Sequence, residues 1–158
     1  MTQTQVSKMA QYSVSLMCLT SIHHIYGAII YGTPWRLHIL MLSIPVIVLT
    51  LLFRWLLLKK ENKYSWALKG FFMFITLVAS VGMIGVYEGL YNHALKNILF
   101  FGGASHEILQ AMFPAPIYEM PNDLIFEFTG VMQGLIVVPM IVLLTKLSAF
   151  VFKKRQAV

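Results

Sequence analysis

Five ionisable residues lie within apolar runs that are long enough to cross a membrane, or just beyond the end of one. His23, His24, Glu88 and Glu127 lie within such runs, and His93 follows the third run. An ionisable group inside a bilayer costs free energy, so such groups usually serve a function or pair with one another. Imidazole and carboxylate groups together are typical ligands of zinc, iron, copper and manganese. The residue types therefore predict a site for a transition metal or a haem, with these five residues as its ligands.

The two adjacent histidines do not count simply as two ligands. Successive side chains of a helix point about 100° apart, so we expect only one of His23 and His24 to face the centre. Gly27 shares a face with each of them, and periodicity therefore does not choose between them. The alternative is a hydrogen-bonded pair that only orders the bundle.

Each carboxylate has an alternative interpretation as well. Glu88 could extend to the interface or pair with Lys96, since Asn92 lies four residues from each and would complete a polar stripe. Glu127 could be a first-turn carboxylate favoured by the helix dipole. If the two glutamates do meet in a low-dielectric region, they must share a proton, meet His or Arg, or bind a cation.

Six further residues fall near the same predicted end of the spans and form a candidate outer rim. We expect them to support the site or, alternatively, to be solvated loop and interface residues. These residues are Arg36, His38, Tyr91, Asn92, Glu119 and Asp123.

The elements that must position these residues are membrane helices. Of the 158 residues, 58% are hydrophobic and only 11% are charged, against roughly 25% in soluble domains. The hydropathy pattern predicts one domain, 1–158, that is an all-α integral membrane protein. Its four transmembrane helices form an antiparallel bundle, with spans at about 12–31, 37–58, 66–91 and 121–152.

Basic residues predict the orientation of the bundle. The segment 54–69 and the C-terminus are rich in Lys and Arg, and such segments lie on the cytoplasmic side. Both termini are then cytoplasmic, and the site faces the external or periplasmic side of a bacterial inner membrane or its equivalent. The net charge of +6 needs no nucleic-acid partner, because the positive-inside rule accounts for it.

The third loop, 92–120, is long for a compact bundle, and loops of this length are often functional. Within it, 105–113 has the pattern of a short amphipathic helix. Its apolar side would comprise Ile108, Leu109, Met112 and Phe113. We expect it to lie at the membrane interface as a lid or a re-entrant segment.

Two GxxxG patterns, Gly85–Gly89 and Gly130–Gly134, lie in the third and fourth spans. Small residues at this spacing allow helix backbones to approach closely. Such an approach would bring Glu88 and Glu127 together. The same faces predict self-association or contact with a partner membrane subunit within the lipid bilayer.

Three functions fit these observations, and the sequence leaves open whether the protein is an enzyme. The first is an outward-facing His/Glu site that binds a metal ion or haem for a redox, catalytic or metal-handling role. The second is a non-catalytic subunit or assembly factor of a larger membrane complex. The third is a small enzyme acting on a lipid or quinone head group, with general acid–base chemistry at the interface. A proton-coupled carrier is a weaker fourth, because four spans are few for alternating access.

Overall fold

A computed structural model describes the backbone of residues 2–59, 65–115 and 117–155, and the side chains of 2–59, 66–115 and 117–146. Over these ranges the chain is helical and forms no strand. Its elements are α1 (Gln3–Ile30), a 3₁₀ segment (Pro34–Ile39), α2 (Leu40–Leu58), α3 (Ser65–Ile75), a π-helical segment (Thr76–Leu95), α4 (Lys96–Phe101), α5 (His106–Met112) and α6 (Leu124–Arg155). Part of the basic pattern behind the predicted orientation lies outside the described residues: Lys60, Glu61, Lys63 and the side chains of Lys153, Lys154 and Arg155.

Within the described ranges, four helical stretches are long and apolar enough to cross a membrane, as the hydropathy pattern predicts. They are Gln3–Ile30, Pro34–Leu58, Trp66–Phe101 and Leu124–Lys146. The first begins nine residues before the predicted span. Thr2 and Gln5 cap it reciprocally, because each side chain accepts a hydrogen bond from the other residue's backbone N–H. This capping box satisfies two backbone donors at the helix start.

The third helical stretch continues to Phe101, past residue 91, where the sequence predicts that the third span ends. Asn92 and His93 therefore belong to the helix and not to a loop, and both are buried. His93 Nδ1 contacts Glu127 of α6, and Asn92 Nδ2 donates to Glu88 of its own segment, and such partners lower the cost of polar groups at this depth. The segment Thr76–Leu95 is wound as a π-helix, whose i→i+5 hydrogen bonds widen the turn and are frequent at functional sites.

Helix α1 packs against α2, the 3₁₀ segment, the π segment and α6, as its polar composition predicts. Its hydroxyl groups form hydrogen bonds between helices. Ser13 Oγ lies 2.7 Å from Ser80 Oγ, and Ser21 Oγ lies 2.8 Å from Ser43 Oγ. Helix α2 leaves most of its Leu, Ile and Val surface exposed, as expected of a helix that faces lipid. The hydroxyl contacts hold α1 in place within an otherwise apolar interior.

The two GxxxG patterns pack against each other within the chain. A Cβ atom added to Gly89 would lie 2.7 Å from the Cα atom of Gly134, and one added to Gly85 would overlap the side chain of Val137. The π segment and α6 therefore touch backbone to backbone. Association with a second copy or a partner subunit stays a prediction.

Helix α5 lies within the predicted amphipathic segment. Ser105 caps it, with its Oγ accepting a hydrogen bond from the backbone N–H of Ile108. Leu109 and Phe113 are buried, whereas the side chain of Ile108 is 49% exposed. The predicted apolar side is therefore only partly covered. Tyr91 ties this helix to the bundle by donating a hydrogen bond to the carbonyl oxygen of Met112 at 2.9 Å.

Candidate metal centre

Three imidazole rings converge on one carboxylate oxygen. Glu88 Oε1 lies 3.4 Å from His24 Nε2, 3.6 Å from His93 Nε2 and 3.8 Å from His23 Nε2. The other carboxylate oxygen of Glu88 accepts a hydrogen bond from Asn92 Nδ2 at 2.7 Å. The sequence-predicted residues of the first and third spans thus meet at a single point.

Helix α1 contributes both histidines, and their Nε2 atoms lie 3.8 Å (His23) and 3.4 Å (His24) from Glu88 Oε1. Among the described residues, only His23 joins Glu88 and His93 in a group whose ligand atoms all lie within 4.8 Å of one another, and the expectation that one of the two histidines faces the centre stays a prediction. The rings of His23 and His24 stand nearly perpendicular, with an interplanar angle of 80° and centroids 5.4 Å apart. Glu88 therefore lies where both Nε2 atoms can reach it. Gly27, one turn further along, leaves room for the ring of Phe126, and this ring stacks on His23 with centroids 4.2 Å apart.

Glu127 lies behind His93 and fixes the orientation of its ring. Its Oε2 atom lies 2.8 Å from His93 Nδ1 and accepts a second hydrogen bond from Asn97 Nδ2. Lys96 Nζ lies 3.0 Å from Glu127 Oε1 and also donates to the carbonyl oxygen of Glu119. A carboxylate that receives donors from Lys and Asn is ionised. It therefore accepts the Nδ1–H of His93, and in the neutral imidazole this leaves a lone pair on His93 Nε2.

Thr129 sets the tautomer of His23 in the same way. The backbone carbonyl oxygens of Ile125 and Phe126 lie 2.8 and 3.0 Å from Thr129 Oγ1 and share its hydroxyl proton. A hydroxyl has only one proton to donate. The 2.9 Å contact between Thr129 Oγ1 and His23 Nδ1 is then donated by the ring. His23 Nε2 consequently carries a lone pair as well, and it is buried with no hydrogen-bond partner among the described residues.

Two lone pairs therefore face the Glu88 carboxylate. Such an arrangement is repulsive unless a proton or a metal cation lies between the groups. His24 also has unsatisfied polar atoms. Neither of its ring nitrogens has a hydrogen-bond partner in the part of the chain that the structure describes. Buried polar atoms without partners are costly, and a bound water or ion commonly satisfies such atoms.

The distances suit a metal ion. Ligand atoms of His23, Glu88 and His93 all lie within 4.8 Å of one another. With bonds of ~2.1 Å, ligand atoms of a tetrahedral site lie about 3.4 Å apart. The three separations from Glu88 Oε1 begin at this value and need only small side-chain shifts to reach it. His23, Glu88 and His93 therefore lie close enough to hold a metal ion.

A cavity of about 560 Å³ lies beside the cluster. His24, Glu88 and His93 line it, whereas His23 and Glu127 lie behind its wall. Its size is that of a small-molecule pocket. The cluster is therefore accessible from the cavity without being exposed at the protein surface.

The predicted rim residues have varied roles. Arg36 is buried and not interfacial, because the 3₁₀ segment turns it inward among aromatic rings. Its guanidinium carbon lies 4.9 Å from the centroid of Trp35 and 5.4 Å from those of Tyr31 and Phe126. Arg36 Nη2 lies 3.6 Å from Glu119 Oε1.

Two other rim residues serve the local backbone. Asp123 caps α6, since its Oδ1 accepts a hydrogen bond from the backbone N–H of Phe126 at 2.8 Å. His38 is exposed, and its Nδ1 lies 2.6 Å from the carbonyl oxygen of Trp35. Its ring is 6.3 Å from that of His24, so it borders the cluster without joining it.

Tyr31 follows the last residue of α1 and links this end of the helix to the residues before α6. Its hydroxyl donates to Asn122 Oδ1 at 2.6 Å. Burial, with the nearby charges of Glu127 and Asp123, raises the pKa of Tyr31 to about 12. The hydroxyl is therefore protonated at physiological pH and holds the start of α6 against the end of α1.

Three supporting residues were missed in the sequence. Asn97 and Thr129 were not singled out. Lys96, which the sequence offers only as an alternative partner of Glu88, is buried and pairs with Glu127. The apolar residues 98–101 could have indicated that the helix continues past Lys96.

Comparison with protein-family models, with curated proteins and with solved structures finds no match for this chain.

Proposed function

We propose that this protein is a membrane metalloprotein that binds one divalent first-row transition metal ion. His23, Glu88 and His93 are its ligands, and His24 is the fourth. The observation that carries the proposal is the convergence of His23 Nε2 and His93 Nε2 on the Glu88 carboxylate, with the two rings held in place by Thr129 and Glu127. A metal ion would replace the repulsion between neutral imidazole nitrogens and this carboxylate with bonds to all three groups.

An ion suits the cluster better than haem. Haem iron offers axial positions on opposite faces of a flat macrocycle. The three Nε2 atoms instead approach one carboxylate oxygen within 3.8 Å, which leaves no slot for a porphyrin between them. Imidazole with carboxylate suits Zn²⁺, Fe²⁺, Mn²⁺ or Cu²⁺. Glu127 then holds the ring of His93 through its Nδ1 atom and does not bind the metal itself.

The adjoining cavity favours a role for the metal beyond holding the bundle together. Structural zinc sites are closed, whereas catalytic sites keep a position open to water or substrate. His24, Glu88 and His93 border the cavity, so an ion bound to them would face it. This favours, as a second candidate, metal-dependent chemistry on a membrane-borne substrate over a purely structural subunit.

Metal analysis of the purified protein tests the proposal. We expect about one ion per chain after purification in mild detergent, and we expect Co²⁺ added to the metal-free protein to give the visible absorption of a four-coordinate site. His93→Ala should abolish both signals. His106→Ala, which removes an exposed histidine of α5, is the matched control and should retain them. A folded protein that neither contains nor binds Zn²⁺, Fe²⁺, Mn²⁺, Cu²⁺ or Co²⁺ would overturn the proposal.

A further inference from the structure

The cavity beside the cluster has two chemically different parts. One part carries charged and polar groups, among them Arg36, Lys96 and Asn92. The other is formed by the π segment, where Val78, Gly82 and Met83 line the cavity and are themselves exposed on the bundle surface. Within a membrane that surface faces lipid, so the apolar part of the cavity adjoins the acyl chains of the bilayer.

Arg36 presents an unused donor to this cavity. The side chain is 6% exposed, and Nη2 has no hydrogen-bond partner among the described residues. Its Nε atom donates to Thr33 Oγ1 at 2.8 Å, which fixes the guanidinium group. Glu119 Oε1 is 3.6 Å from Nη2, beyond a hydrogen bond, and the Glu119 side chain is 30% exposed. A buried guanidinium with a free N–H is a ready site for an oxyanion.

The net charge around the cavity points the same way. Arg36 and Lys96 carry two positive charges, and Glu88, Glu119 and Glu127 carry three negative charges. The sum is −1 with neutral histidines. A bound divalent ion changes it to +1, which one anionic group would neutralise. A loaded site therefore favours a negatively charged ligand in this low-dielectric region.

We infer that the cavity binds an anionic amphiphile whose carboxylate or phosphate group contacts Arg36 beside the metal, and whose alkyl chain follows Val78, Gly82 and Met83 toward the bilayer. This inference rests on the proposed metal site where it uses the charge of the bound ion. The contact with Arg36 and the apolar wall do not depend on the metal.

Native mass spectrometry of the protein in detergent tests the metal site and the amphiphile site together, because it resolves the mass of a bound metal from that of a bound amphiphile. The probes are palmitate, methyl palmitate and acetate, each added to Co²⁺-loaded and to metal-free protein. We expect one palmitate per chain, bound at least about tenfold more tightly than methyl palmitate, since a charge-assisted hydrogen bond is lost in the ester. Binding should be stronger with Co²⁺.

Arg36→Gln should weaken palmitate binding about tenfold, and Arg36→Lys should weaken it less, because lysine keeps the charge without the planar fork. Arg54→Gln is the matched control and should leave it unchanged, since Arg54 lines a separate pocket with Ala10 and Leu51.

Equal retention of the ester and the acid by the wild-type protein would overturn the inference, and so would retention of acetate in place of palmitate. Co²⁺ bound without palmitate would leave the metal site standing and overturn only the amphiphile. Palmitate bound through Arg36 to a protein that takes up no Co²⁺ would support the amphiphile and overturn the metal site.

Discussion

The Nδ1 atom of His93 lies 2.8 Å from the Oε2 atom of Glu127. Because Lys96 and Asn97 also donate to this carboxylate, Glu127 is an acceptor with a fixed position, and it directs the opposite nitrogen of the ring toward Glu88. The two glutamates therefore do not share one role. One faces the centre, and the other holds the histidine that faces it.

Glu127→Gln tests this division of roles. The amide keeps the shape of the side chain but loses the charge that holds the Nδ1 proton. We expect metal affinity to fall about 10- to 100-fold, as is typical when a carboxylate that holds a metal-binding histidine is lost. Calorimetric titration with Zn²⁺ measures the change. Glu107→Gln, at an exposed position on α5, is the matched control. An affinity equal to that of the wild type would contradict a positioning role for Glu127.

Thr129→Val removes the acceptor for the Nδ1 proton of His23 while it nearly conserves side-chain volume. The ring is then free to adopt the other tautomer, which points a proton at Glu88. We expect metal affinity to fall about tenfold, which is the lower end of the range for losing a hydrogen-bond partner of a metal-binding histidine. Thr129→Ser keeps the hydroxyl and should stay close to the wild type. If the serine and valine variants bind Zn²⁺ equally well, the hydroxyl does not set the tautomer.

Much of this arrangement was predictable from the sequence, and the missing part has a physical cause. Hydropathy identifies the four spans because the bilayer imposes a minimum apolar length. Hydropathy ends the predicted third span at residue 91, before the helix itself ends, because it counts Asn92, His93 and Lys96 each as a separate cost in free energy. In the folded chain these costs are offset by partners such as Glu127, 31 residues from Lys96. No local pattern reports such a pairing.

The cluster illustrates the same limit. The residue types indicated which side chains would meet, but they did not assign ligands and supports. Glu88 and Glu127 are both intramembrane carboxylates, and only their hydrogen bonds distinguish them. Helical periodicity also predicts that only one of His23 and His24 faces the centre, but it does not indicate which one. Among the described residues, only His23 joins the group with Glu88 and His93.

Gly89→Ala tests the close packing of the π segment on α6. The added Cβ would press on the backbone of Gly134, which cannot yield as a flexible side chain can. We expect a loss of about 1–3 kcal/mol in the free energy of unfolding, the usual cost of overpacking. Gly70→Ala is the matched control, because a Cβ there meets no atom within 4 Å. Unfolding in detergent measures both. Equal stability of the two variants would contradict backbone contact at Gly89.

The predicted orientation is tested by cysteine labelling in intact cells. In a Cys18→Ser background, Glu107→Cys on α5 should react with a membrane-impermeant maleimide, whereas Lys8→Cys on α1 should react only after lysis. Both positions are exposed, so reactivity reports sidedness rather than burial. The distribution of basic residues places α5 outside and Lys8 inside. The opposite labelling pattern would reverse the orientation and place the metal site on the cytoplasmic side.

Metal binding should weaken as the pH falls. Only the neutral imidazole has a lone pair for a metal, and the reference pKa of histidine is about 6.5. Each histidine that must lose a proton to bind lowers the affinity by about tenfold per pH unit below its pKa in the metal-free protein. Lowering the pH should therefore weaken Zn²⁺ binding, and binding at low pH should release protons. Calorimetry in buffers of different ionisation enthalpy counts those protons. If the affinity does not change between about pH 5 and about pH 8, no histidine loses a proton when the metal binds.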